Sequence, residues 1–173
     1  AEEDNSPLGL LSIATSAFDD SESERSKKYT FIEGDEVWFV MDIDKDRDDS
    51  RGPQIREVIA ACEKNEGWNY AISNPCFEVW QYYHQHTDLP KISEIGFCKN
   101  WKTHLNSAFK GGFDNRRHPI YIENATLHAK SIYKESDGLP ELARTGVYRL
   151  GESILALMKG EIDRIIMSHG LLD

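Results

Sequence analysis

Residues 36–49 read EVWFVMDIDKDRDD, and the fold is decided by how this stretch is taken. Six residues, Val37 to Asp42, form an apolar run that ends abruptly on a carboxylate. A run so short and so apolar has the pattern of a central strand buried on both faces, as in a parallel sheet. Acids then fall at alternate positions, Asp42, Asp44, Asp46 and Asp48. On an extended chain, residues i and i+2 point the same way. Asp42 and Asp44 can therefore face one hard cation of the Mg²⁺ type. Open α/β sheets form their sites at the C-terminal ends of strands, which is where this pair falls.

Downstream, Gly52 and Pro53 punctuate the chain, and Ile55, Val58, Ile59 and Cys62 recur at i, i+3, i+4 and i+7. That spacing predicts one face of a helix. Asn69 to Ile72 is a short apolar strand, so residues 37–72 make a strand–helix–strand unit. A right-handed crossover places its two strands parallel. Next comes SNPCFEVWQYYH, Ser73 to His84. Here Asn74 can cap a helix with Pro75 at its first position. Phe77, Trp80, Tyr83 and His84 form its apolar face, and Glu78 lies on another side in the first turn. With neighbouring strands, Glu78 comes within roughly 10 Å of Asp42 and becomes a candidate third carboxylate.

Upstream, the chain opens on AEEDNSPLGLL without an initiator methionine, which suggests a fragment or processed chain. Ser6 and Pro7 fit a helix start, followed by a face of Leu10, Leu11, Ala14, Ala17 and Phe18. Residues 19–28, DDSESERSKK, contain no apolar side chain and are expected to form a flexible, exposed loop. Between Lys99 and His118 the charge reverses: Lys99, Lys102, Lys110, Arg116 and Arg117 stand against Asp114, with Trp101, Phe109 and Phe113 interleaved. Basic residues among aromatics suit phosphates and unstacked bases. Alternatively, the stretch is a solvated loop whose aromatics turn into the core. The last fifty residues read as three helices, around Ala125–Ile132, from a Thr145 cap through Leu157, and around Ile162–Ile166.

Composition bounds the function. A chain of 173 residues fits one domain with a proper core. Its net charge of −10 disfavours sequence-blind wrapping of nucleic acid and binding to an anionic membrane, although a local basic patch can still serve. No stretch approaches the roughly 20 apolar residues of a spanning helix, and no signal-peptide core is present. Cys62, Cys76 and Cys98 are odd in number and widely spaced, which fits reduced packing residues and a cytoplasmic setting.

DIDKDRDD resembles other acidic motifs. An EF-hand loop counted from Asp42 would need Gly and Glu where Arg47 and Pro53 stand, and a helix rather than a strand before it. A haloacid-dehalogenase-type phosphatase begins with a strand and DxD, and Ser73 could supply its hydroxyl, but the downstream acidic pair is missing. A glycosyltransferase DxD, which holds Mn²⁺ on a nucleotide-sugar, stays open on the motif alone, although 173 residues is short for one. The plainest alternative is that the acids solvate a loop after a buried strand, screened by Lys45 and Arg47, and Asp46, Asp48 and Asp49 are expected to do only that.

VWFVMDIDKD, the helix around Ile55 to Cys62, and SNPCFEVWQYYH together resemble the RloB-like family, as do IENATLHAKSIY and RTGVYRL further on. The resemblance spans most of residues 6–158. That family accompanies restriction–modification loci and includes an abortive-infection protein acting against phage. The resemblance implies a single α/β, topoisomerase–primase (Toprim)-like domain over residues 1–173. A parallel-containing sheet would be flanked by helices, with additional C-terminal helices. It further implies a Mg²⁺- or Mn²⁺-dependent nuclease, with Asp42 and Asp44 as the DxD and Glu78 as the acid of the SNPxFE block. Lys99, Lys102, Lys110, Arg116 and Arg117 would hold nucleic acid, and an ATPase is the implied partner. Such folds also carry a Glu in a Gly-rich turn after their first strand. Nothing before Asp42 matches it, so the domain is expected to lack that strand here. The competing expectations are a non-catalytic module that binds nucleic acid or an ATPase, and a phosphomonoesterase.

Overall fold

A computed structural model describes residues 5–18, 32–44, 51–91 and 96–170. The loop expected at 19–28 and the outer acids Asp46, Asp48 and Asp49 lie outside the described residues. The architecture is mixed α/β, with six helices and a small mixed sheet among the described residues.

Strand β1 (Val37–Asp42) pairs in parallel with β2 (Trp68–Asn74), in register from Val37 opposite Trp68 to Asp42 opposite Ser73. Helix α2 (Arg51–Cys62) makes the crossover between them. Its face is the expected one, with Ile55, Val58 and Cys62 buried. The central position differs from expectation. The order is β1-β2-β5, so among the described residues β2 is the middle strand and β1 lies at an edge. Burial along β1 alternates accordingly: Phe39 and Met41 are buried, while Val40 between them is 37 % exposed. A run of β-branched and aromatic residues thus made a strand, as such residues do, but one sheltered mainly on one face.

Adjacent residues of β2 point into two separate cores. Ile72 joins Phe39, Met41, Ile55 and Val58, against which Leu10, Leu11 and Ala14 of α1 (Pro7–Ala17) pack. Ser6 caps α1 as expected, its Oγ accepting from Gly9 N–H at 3.0 Å. Ala71 joins the larger core on the other face, built around Trp80, Tyr83, Trp101, Leu105 and Val147. That core gathers α3 (Glu78–Tyr82), α4 (Cys98–Ala108), α5 (Ile122–Ile132) and α6 (Val147–His169).

The C-terminal third departs from three helices in two ways. Residues 135–145 are not helical: β3 (Glu135–Ser136) and β4 (Leu139–Pro140) form a hairpin, and β5 (Arg144–Thr145) runs antiparallel to β2. The hairpin turn is Asp137-Gly138, both at positive φ. That is the preference of the two-residue turn whose twist matches its strands. The second and third expected helices are one helix of 23 residues, α6. Gly160 does not break it, because one interior glycine costs a helix only about 1 kcal/mol and the Lys159–Asp163 ion pair spans the position. Gly170, at φ +61, ends it in the left-handed conformation that glycine adopts without penalty.

Candidate functional site

The C-terminal end of the β1–β2 pair gathers acids from two segments. Beyond Asp42 the chain keeps bonding to its neighbour, Ile43 N–H donating to Ser73 O at 3.0 Å and Asp44 N–H to Pro75 O at 2.9 Å. It is no longer extended, however. Asp44 sits at φ +42, a left-handed conformation that aspartate tolerates better than most residues. The i, i+2 rule of a strand therefore does not govern Asp42 and Asp44. Their proximity comes from a turn tied down by the β2 terminus.

The SNPCFE block also folds differently from a capped helix. Asn74 stays in β2, pairing with Arg144, and its Nδ2 donates to Pro140 O at 2.8 Å. Asn74-Pro75 is a cis peptide, and α3 begins only at Glu78, with Phe77 before it. The strand gained length because β5 offered Asn74 a backbone partner. Glu78 still falls at the sheet edge, close enough to act electrostatically on Asp42.

Asp42 is the most perturbed carboxyl of the group. Burial first, then repulsion from Glu78, pushes it up to about 6. Arg51 opposes that rise, Asp44 adds to it, and a hydrogen bond from Phe77 N–H lowers it. Asp44 is held from two sides. Arg51, the first residue of α2, places Nη1 3.4 Å from its Oδ2. Cys98, the first residue of α4, directs its thiol to Oδ1 at 3.3 Å and to Pro75 O at 3.5 Å. Cys76 lies beside both Cys98 and Glu78. With its burial, those contacts push its thiol far above the ordinary range. All three cysteines are free and buried, as expected of packing residues, and two of them also brace the acids. Arg51 and Cys98 were not singled out by the sequence. Cys98 lies 54 positions from Asp44, and only the packing of α4 joins them.

In kind, the donors suit a hard divalent cation. Three carboxylates stand against one guanidinium, and repulsion from Glu78 and Asp44 adds to the burial that pushes the Asp42 carboxyl up. In arrangement they fall short of a protein cage: among the described residues, no three His, Cys, Asp or Glu side chains stand at the spacing of a metal site. Mg²⁺ is ordinarily held by one or two carboxylates together with water and substrate phosphates. Asp42 and Glu78 fit that mode, while Asp44 is engaged by Arg51.

The basic stretch divides in two. Lys99 and Lys102 are exposed on α4, just after the Cys98 that touches Asp44. Lys110 is exposed beyond the helix, and Arg116 and Arg117 both pair with Asp114, at 3.2 and 3.7 Å. Trp101 and Phe109 are buried in the core, and Phe113 packs against it. Trp101 and Phe109 therefore serve packing and present no open face to bases, and Phe113 is half-buried.

A model of the RloB-like protein family matches residues 1–154 of the chain. No curated protein and no solved structure matches it.

Proposed function

The chain belongs to the RloB-like protein family, and from that premise we propose that it is a Mg²⁺- or Mn²⁺-dependent nuclease with a Toprim-like core. It would act in the cytoplasm in defence against phage, alongside an ATPase. The observation that carries the proposal is the crowding of Asp42, Asp44 and Glu78 at one strand end, where both neighbours raise the Asp42 carboxyl. Like charges held together cost folding free energy, and a divalent cation converts that cost into affinity.

Asp42 and Glu78 would hold the ion. A divalent cation at this position supplies charge neutralisation on a phosphodiester and a more acidic water. Phe77 N–H fixes the Asp42 carboxylate, and Cys98 with Pro75 fixes Asp44. Arg51 can exchange Asp44 for a substrate phosphate, releasing Asp44 toward the same centre. Lys99 and Lys102, following the residue that touches Asp44, would take phosphates flanking the scissile one. Lys110 would bind the nucleic acid further along.

Incubating the protein with single-stranded and duplex DNA and RNA in Mg²⁺ or Mn²⁺ tests this. Cleavage should fall at least ~100-fold in Asp42→Ala, as loss of a principal metal ligand implies. Cleavage unchanged in that variant sinks the assignment.

One observation favours a second reading, a non-catalytic module that binds nucleic acid or an ATPase: Arg51 already neutralises Asp44 at 3.4 Å. A module of that kind gains no thermal stability from Mg²⁺, whereas a metal centre does, since a ligand stabilises the state it binds.

A further inference from the structure

Away from the acidic strand end, a cleft of about 630 Å³ opens between the 3-10 turn His118–Tyr121 and the last turn of α6. Arg116, Arg117, His118 and Tyr121 line one side, and Ile165 and His169 the other. Ile165 and His169 are four residues apart, so they share one helix face. Both lie beyond the residues that match the family, 1–154.

We propose that this cleft binds a mononucleotide, with its phosphate on the arginines and its base against Tyr121 and Ile165. The volume lies within the range of small-molecule sites. Two guanidinium forks on adjacent residues suit a phosphate, which they can grip bidentately. At present both engage Asp114, in ion pairs whose arginines are 88 % and 84 % exposed. Exposed pairs of that sort contribute little, so exchanging Asp114 for a phosphate costs little.

His118 adds a directed donor. Its Nδ1 accepts from Asp114 N–H at 2.7 Å, which leaves Nε2 as the protonated nitrogen. Its ring packs against both Phe109 and Phe113, 4.9 Å from each centre to centre. A phenol ring and an isoleucine complete a half-apolar wall, which inorganic phosphate would not need but a planar base would use.

The test is calorimetric titration of the protein in EDTA with AMP, inorganic phosphate and a short oligothymidylate, each alone. EDTA and the Asp42→Asn variant remove the metal centre from the experiment, so failure here is separate from failure of the nuclease proposal. AMP is expected to bind with Kd below ~1 mM and inorganic phosphate at least ~10-fold more weakly. Arg117→Gln should weaken AMP at least ~10-fold, the loss of a charge-assisted hydrogen bond. Tyr121→Ala should weaken AMP but leave phosphate unchanged, and Asp42→Asn should leave both unchanged. Arg116 and Arg117 are surface residues, so their variants should fold, which circular dichroism checks. The proposal is overturned if AMP does not bind, if Arg116→Gln and Arg117→Gln both leave its affinity intact, or if phosphate binds as tightly as AMP. It is equally overturned if the oligonucleotide binds through these residues while AMP does not.

Discussion

Replacing Asp42 by Asn probes the crowded strand end without any substrate. The folded carboxyl titrates at about 6 against an ordinary value of 3.8. That difference is worth roughly 3 kcal/mol once the group is ionised in both states. The sign follows from proton counting. Between the two values the folded chain keeps a proton that the unfolded chain has released, so this carboxyl makes stability fall as pH rises through that window. Below it no penalty exists, and above it the penalty is complete. Asparagine preserves the shape and the acceptor for Phe77 N–H while removing the charge. The stability difference, variant minus parent, should therefore grow from near zero at about pH 4 to roughly 3 kcal/mol by about pH 7 and then stay level. His84 has the opposite slope in the same window. Burial lowers its imidazole to about 4 from 6.5, so the unfolded chain takes up its proton first and acid destabilises. In the parent the two slopes largely offset each other, whereas in Asp42→Asn the His84 slope stands exposed. Urea denaturation in EDTA, followed by tryptophan fluorescence across that pH range, measures both effects. At neutral pH the gain corresponds to roughly 5–10 °C in Tm for a chain of this size. A difference independent of pH, or a variant less stable than the parent at neutral pH, refutes the picture of a carboxyl raised by burial and by its acidic neighbours.

Two glycines of α6 should respond in opposite directions to alanine. At Gly151 a Cβ would lie 2.2 Å from Thr126 Oγ1 and 3.0 Å from Trp80 Cη2, so Gly151→Ala should cost roughly 1–3 kcal/mol in urea titrations, and Thr126→Ala should recover part of that. At Gly160 nothing lies within 4 Å, and Gly160→Ala should raise stability by up to about 1 kcal/mol through helix propensity. Thr145→Val should cost roughly 1–3 kcal/mol, because the buried Thr145 Oγ1 bonds Ser73 Oγ at 2.9 Å and accepts from Val147 N–H at 3.2 Å where α6 starts. Arg51→Gln removes the cation that opposes the push on Asp42, so the Mg²⁺-induced rise in Tm should be larger than in the parent; an equal or smaller rise in a scanning fluorimetry titration counts against a metal centre at this strand end.

What the sequence disclosed about the fold was local and periodic. The apolar run of β1, the i, i+3, i+4, i+7 face of α2 and the Ser6-Pro7 helix start each announce themselves within a few residues. The parallel pairing of β1 and β2 follows because a helix of that length between two strands leaves few other arrangements. The Asp137-Gly138 turn is just as local a signal, but its flanking strands, two residues each, are too short to carry the alternation that marks a hairpin. The extension of β2 to Asn74 had no local signal. Asn-Pro ahead of an aromatic helix is a sound capping pattern, and it lost only because Arg144, 70 positions away, supplies the backbone partner that makes Asn74 a strand residue.

The same division runs through the acidic site. Asp42 is legible because an acid at the end of an apolar strand is placed by the strand itself, and Glu78 because the aromatic periodicity after β2 puts an early helical turn near that strand end. Asp44 was found for a reason that does not hold, since extended geometry ends at Asp42 and a left-handed turn brings the next acid round. The groups that tune these acids were illegible, because each depends on where a helix start lands after packing: Arg51 at the head of α2, Cys98 at the head of α4, Phe77 N–H at the head of α3. Periodicity says which face of a helix is buried, but not which strand end its first residue will meet. Charge balance at a sheet edge is therefore a tertiary quantity even when every acid in it is visible in the sequence. In the proposed metal centre Arg51 would decide whether Asp44 is a ligand or half of an ion pair, and that choice separates the proposed nuclease from the alternative binding module.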